Sequence, residues 1–164
     1  MDASHAVEAL ADGLAAAHFE VTREAVVDGA VLMARRADWK SGLARMHTFV
    51  VVFTVGELTA ERADELTAAA QQYAIDHKGG LPRGLQTGTL TIAVFLGRAS
   101  EPAVRWFAAE PKHRYAALRF PVLAVPDTGA LTYFKGRMSR GYSYGADVRG
   151  VVEKIVAPAI KPAR

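Results

Sequence analysis

The stretch His47-Thr48-Phe49-Val50-Val51-Val52-Phe53-Thr54-Val55 decides the fold. Its consecutive β-branched and aromatic residues favour a strand over a helix, and the lack of alternation means that both faces are covered. Such a strand lies inside a sheet. Thr89 to Leu96 has the same character and predicts a second interior strand. Between the two, Thr59 is placed to cap a helix running to about His77, with Ala63, Leu66, Ala70, Tyr73 and Ala74 facing inward at helical spacing. Glu61, Asp64, Glu65 and Gln72 fall mostly on the outer side, and the acids of the first turns complement the helix dipole. Gly79-Gly80 and Pro82 stop this helix. A buried strand, a helix and a second buried strand predict a right-handed parallel crossover.

Upstream, residues 4–19 read as a helix capped by Ser4, with Val7, Leu10, Leu14 and Ala17 on one face. Val21 to Val27 and Ala30 to Arg36 are strand-like, and Asp28-Gly29 between them predicts a hairpin turn with positive φ at both positions. Ala37 to Arg45 reads as a loop. Downstream, Ser100 caps a short helix holding Val104, Trp106 and Phe107, and Pro111 ends it. Tyr115 to Val125 is extended, but Pro121 removes a ladder donor and argues for an edge or irregular strand. Pro126 to Gly129 is a turn, and Ala130 to Lys135 returns as a strand. Asp147 caps a last helix with Val148, Val151, Val152, Ile155 and Val156 on one stripe, ended by Pro158. The expected fold class is α/β (α+β mixed): one domain over 1–164, with a central mixed sheet and helices on both faces.

Composition agrees with one globular domain: 164 residues, 51% hydrophobic and 23% charged. The chain has no cysteine, which excludes disulfides, thiolate metal ligation and a cysteine nucleophile and fits a cytoplasmic location. MDASHAVEALADG carries acids where a signal peptide needs positive charge. No apolar run approaches the roughly 20 residues that span a bilayer, so no membrane partner is expected. Arginine in excess of lysine, with abundant alanine, suggests a GC-rich bacterial genome.

The net charge of +3 conceals an asymmetry. Residues 1–77 hold six Lys and Arg against twelve Asp and Glu, a balance of −6. Residues 78–164 hold fourteen against five, a balance of +9. If folding keeps these charges apart, they make a basic face for an anionic partner or a dipole that favours a homo-oligomer.

The order helix–strand–strand–strand–helix–strand over residues 4–96 resembles the core of the restriction-endonuclease-like nucleases. That resemblance implies an acid on the second strand and an acid-x-lysine on the third, which together hold a metal. Here the second strand is Ala30-Val31-Leu32-Met33-Ala34 and the third is His47-Thr48-Phe49-Val50-Val51-Val52-Phe53, with neither acid nor lysine. The resemblance therefore implies an architecture and no nuclease site.

The other motifs narrow the chemistry. Gly79 to Thr89 is glycine-rich but leaves a helix and enters a strand, the reverse of a phosphate-binding loop, and no lysine follows Gly88. His5, His18, His47, His77 and His113 show no metal-ligand spacing, so no metal and no cofactor is expected, and His47 at the head of the central strand is a candidate for burial. No serine sits in a Gly-x-Ser-x-Gly elbow. Two regions remain. The stretch from Phe134 to Gly145 interleaves Lys135, Arg137 and Arg140 with glycines and with Tyr142 and Tyr144, a composition that suits an anionic partner, its cations neutralising phosphates and, less readily, its tyrosines stacking on unpaired bases of a nucleic acid. With Arg98, Lys112 and Arg114 it forms the expected anion-binding set of a non-catalytic binding protein. The alternative is a small enzyme or ligand-binding protein acting on a small anion at the carboxyl ends of the two interior strands. There Thr54, Glu57, Thr59, Arg98 and Ser100 are the candidates. A third expectation is a self-associating structural protein.

Overall fold

The computed structural model describes residues 1–39, 45–79, 87–114, 116–138 and 145–162, with Thr87, His113 and Arg114 described by their backbone. The elements are α1 (Ala3–Ala16), β1 (Glu20–Thr22), β2 (Ala30–Trp39), β3 (Arg45–Leu58), α2 (Ala60–His77), β4 (Thr87–Ala99), α3 (Glu101–Ala108), β5 (His113–Arg114), β6 (Ala117–Val125), β7 (Ala130–Thr132) and α4 (Gly145–Val151). A π-helical turn (Val152–Val156) and α5 (Ala157–Ile160) complete the last helix.

The fold is mixed α/β. One sheet runs β1-β2-β3-β4-β6, and its outer position beside β6 is shared by β5 and β7. β3 is antiparallel to β2 and parallel to β4, and β4 is parallel to β6. Alternate residues of the strands build two cores. Leu32, Val50, Val52, Ile92, Val94, Phe120 and Val122 pack under α1 and the C-terminal helix. Met33, Phe49, Val51, Phe53, Ala93, Phe95 and Leu123 pack under α2 and α3. The expected arrangement of interior strands with helices on both faces holds, and Phe49–Phe53 and Ile92–Leu96 are fully buried. Among the described residues no helix is long and apolar enough to cross a membrane.

Caps follow local chemistry. Thr59 and Ser100 accept from the Arg62 and Ala103 amides, as their positions ahead of α2 and α3 predict. At α1 the cap is Asp2 rather than Ser4, because the Asp2 carboxylate accepts from the His5 amide at 2.9 Å. This helix ends on His18 at φ 68°, with His18 and Phe19 amides donating to Ala15 and Leu14 carbonyls. That is a Schellman closure without its usual glycine.

Several local expectations need correction; among them, the strand expected over Ala130–Lys135 is only Ala130–Thr132. The strand expected over Val21–Val27 is only Glu20–Thr22, since pairing with β2 ends at Thr22 opposite Met33. Among the described non-glycine residues only His18 and Ala116 have positive φ, so the Asp28-Gly29 turn uses it at Gly29 alone (84°). The Ala30 amide bonds the Val27 carbonyl at 3.1 Å, placing Gly29 where a type II turn needs glycine. The loop expected over Ala37–Arg45 is strand to Trp39 and from Arg45, paired Trp39 to Arg45. Residues 40–44 lie outside the described residues, as do 80–86 of the glycine-rich connection.

Proline completes the corrections. Pro158 does not end the last helix. Its ring clashes with the carbonyl four residues back and it has no N–H to give, so the turn before it widens to π geometry, with the Ala157 amide on the Val152 carbonyl. Pro121 lies inside the sheet, yet β5 pairs with Leu118 and Ala117 and β7 with Leu123 to Val125. The proline thus occupies the gap between two short outer strands, where no ladder donor is required.

Candidate functional site

The carboxyl ends of β3 and β4 hold Thr54, Glu57, Thr59, Arg98 and Ser100, but as strand and caps rather than loops. β3 runs to Leu58 and β4 to Ala99, each one residue from the following helix. The loop-like residues between are explained by a bulge, with register slipping from Thr54↔Leu96 to Glu57↔Arg98. Thr59 and Ser100 spend their hydroxyls on helix amides. Arg98 pairs with Asp127 at 3.7 Å. Both α2 and α3 then turn onto the same face, so β3 and β4 do not flank a switch point. The chain reaches the other face only after β7, and the Arg98–Asp127 bridge links the segments that leave β4 and β6. Thr54 and Glu57 remain exposed beside a shallow concavity that also touches Arg62 and Leu66.

The basic segment is better formed. After β7 the chain runs back over the even-numbered side of β6 and meets the C-terminal helix. Phe120, Tyr133, Phe134 and Met138 supply apolar walls to a pocket of about 200 Å³, and Lys135, Arg149 and Glu153 supply its charges. Several features place these groups. Tyr133 lies 6.2 Å from Phe120, ring to ring. Lys135 holds its ammonium 5.3 Å from the Tyr133 ring centre, a cation–π contact. Gly136 lies so close beneath Phe134 that a Cβ there would sit 2.8 Å from the ring. Gly145 leaves room for the Arg149 guanidinium, 3.4 Å from its own absent Cβ. Among the described residues Lys135, Arg149 and Glu153 make no ion pair, and all three are exposed.

The expected anion-binding set divides accordingly. Lys135 lines this pocket and Arg137 is exposed beside it. Arg140, Tyr142 and Tyr144 lie outside the described residues, in the segment joining Met138 to Gly145. Arg98 is at the far end of β4. Lys112 reaches Asp64 of α2 at 3.8 Å across the other face, and Arg114 is described through its backbone in β5. These cations do not form one patch with Lys135. Arg149 belongs to the pocket and was legible only as part of a generally basic stretch.

A second polar zone lies in the interior. Under the C-terminal half of α2, the rows Ala37–His47–Thr89–Ala117 and Arg35–Phe49–Thr91–Arg119 run across four strands. His47 is buried as its position suggested, and its Nε2, with the Thr89 and Thr91 hydroxyls, has no hydrogen-bond partner among the described residues. Such a group costs about 1–3 kcal/mol. Burial, then the charges of Arg45, Lys78 and Arg35, hold the His47 pKa below the usual histidine value. The unfolded chain therefore takes up a proton that the folded chain resists. This contribution is complete above about pH 6.5 and is lost as pH falls below it. The urea midpoint of the protein is expected to fall more steeply from pH 7 to pH 5.5 than that of His47→Gln; parallel profiles would refute the assignment.

No family model, curated protein or solved structure matches this chain, so function must be argued from the chemistry of these residues.

Proposed function

We propose that the protein is a non-catalytic binding protein of the cytoplasm that takes an anionic ligand with an aromatic or aliphatic body. The pocket of Phe120, Tyr133, Phe134, Met138, Lys135 and Arg149 is its site. The observation that supports this is the pairing of three rings with two cations that make no ion pair among the described residues. Apolar walls take the ligand's body and the rim cations take its charge, the usual division in small-molecule sites. Glu153 on the same rim opposes a second negative charge and favours a monoanion.

Naphthalene-1-sulfonate is the test probe, with naphthalene-1-methanol as its neutral counterpart. Calorimetric titration is expected to show saturable sulfonate binding that weakens with salt. Lys135→Gln with Arg149→Gln is expected to lower affinity about tenfold or more, the equivalent of about 1.4 kcal/mol. Equal binding of the neutral compound, or of the double variant, sinks the proposal. A salt-sensitive titration with single-stranded nucleic acid in place of the sulfonate would widen the partner to a polyanion.

The restriction-endonuclease-like core stays a proposal about architecture over residues 4–96. It is supported by the order α1, β1, β2, β3, α2, β4. Self-association is the second reading. It is favoured by Trp39, 68% exposed at the far end of β2, beyond the three residues that β1 covers. Sedimentation velocity finding only monomer at high concentration retires it.

A further inference from the structure

β6 carries an arginine and a proline in an otherwise apolar run, Ala117-Leu118-Arg119-Phe120-Pro121-Val122. Both face α2 and α3, on the side opposite the pocket of the proposed function. Both lie in the gap between β5 and β7. A second cavity of about 240 Å³ opens there, lined by Asp64, Trp106, Glu110, Lys112, Arg119 and Pro121 among others. Arg119 is 10% exposed, and its Nη2 donates to Asp64 Oδ1 at 3.0 Å. Lys112 Nζ approaches the same oxygen at 3.8 Å.

Two cations from different segments thus converge on one carboxylate oxygen. Arg119 uses one hydrogen bond to Asp64 among the described residues, whereas a guanidinium fork is built for two parallel bonds to a carboxylate. Burying a charge in a strand is costly, and a well-packed apolar pair would serve stability as well or better. Arg119 lines the cavity with only part of its fork engaged among the described residues. Trp106, half-buried, and buried Pro121 offer flat apolar surface beside the fork. The lining holds two acids against two cations, which disfavours a dianion and leaves room for one negative charge.

We propose that this cavity is a second binding site, for a small monocarboxylate with a flat apolar body, in which Asp64 is a built-in occupant that competes with the ligand for Arg119. The site rests on residues separate from those of the proposed function.

The two tryptophans of the chain allow a direct test. In a Trp39→Phe background Trp106 is the sole reporter, and sodium benzoate is titrated at constant ionic strength. A saturable change in Trp106 emission is expected. Adding Asp64→Asn removes the competing charge and is expected to tighten benzoate at least fivefold. Arg119→Met is expected to abolish the response, and Arg119→Lys, which keeps the charge and loses the fork, to weaken it at least fivefold. Lys135→Gln with Arg149→Gln is expected to leave it unchanged, which separates failure here from failure of the first site. Circular dichroism establishes that each variant is folded. No saturable change in folded Trp39→Phe and Trp39→Phe/Asp64→Asn proteins overturns the proposal. So does undiminished binding in Arg119→Lys, or inorganic phosphate binding as tightly as benzoate.

Discussion

Alanine at position 97 is expected to destabilise the protein by more than about 3 kcal/mol, among the largest effects of any single methyl group in this chain. Gly97 sits opposite the bulge in β3, where Val55 and Gly56 face it alone. Its φ is 154°, which side-chain-bearing residues rarely adopt, and an added Cβ would lie 2.1 Å from the Val55 carbonyl oxygen. That oxygen is backbone, held between paired residues on both sides of the bulge, and cannot rotate away. Relief requires the bulge to open, and the bulge sets where β3 and β4 deliver the chain to Thr59 and Ser100. Gly56 is the matched control. It has a non-positive φ and nothing within 4 Å of its missing Cβ, so Gly56→Ala is expected to be neutral or to stabilise by about 0.4–1 kcal/mol. Urea unfolding of the two variants checks the contrast, and similar midpoints would show that the bulge is not a constraint.

Phe95→Ala is expected to cost about 3–5 kcal/mol. The ring is fully buried, stacked on Phe53 at 4.9 Å and met edge-on by Phe107 at 5.4 Å. Phe107 in turn meets Trp106 at 5.0 Å. Truncation leaves a cavity and also removes two ring contacts worth about 0.5–1.5 kcal/mol each. These rings seat α3 on the sheet, so Trp106 emission is expected to shift to the red in the folded variant. Phe95→Leu keeps most of the volume and is expected to cost clearly less. A loss below about 2 kcal/mol for alanine would mean that α3 collapses into the space.

The same residues show how much was legible from the chain alone. Phe49 to Phe53 could be read as interior strand because an unbroken apolar run reports burial on both faces. Thr59 and Ser100 could be read as caps because a cap needs only its own hydroxyl and an amide three residues on. The bulge defeated that reading. Gly56, Glu57, Gly97 and Arg98 have loop-like composition, yet pairing across the strands continues past them. Pro158 was likewise read as a helix end, and the widened turn before it depends on packing of Val156 and Ile160 in the core.

The candidate sites divide along the same line. Lys135 and its basic neighbourhood were visible as composition, but their apolar walls were not, since Phe120 comes from a strand and Arg149 from a helix. Asp64 was placed on the outer side of α2 by periodicity and is instead drawn to Arg119, 55 positions away.

By itself the sequence determined the identity and order of the main elements, the two interior strands and the cap chemistry. These are consequences of φ/ψ preference, hydrophobic period and hydrogen bonds within a few residues. Only the tertiary structure decided which polar groups meet. The parallel order β3-β4-β6 puts His47, Thr89 and Thr91 under α2 and brings Arg119 up to Asp64, while the return after β7 sets Tyr133 and Lys135 against Arg149. Such meetings depend on strand order and on the face each crossover takes, and neither leaves a periodic trace in the residues that it joins.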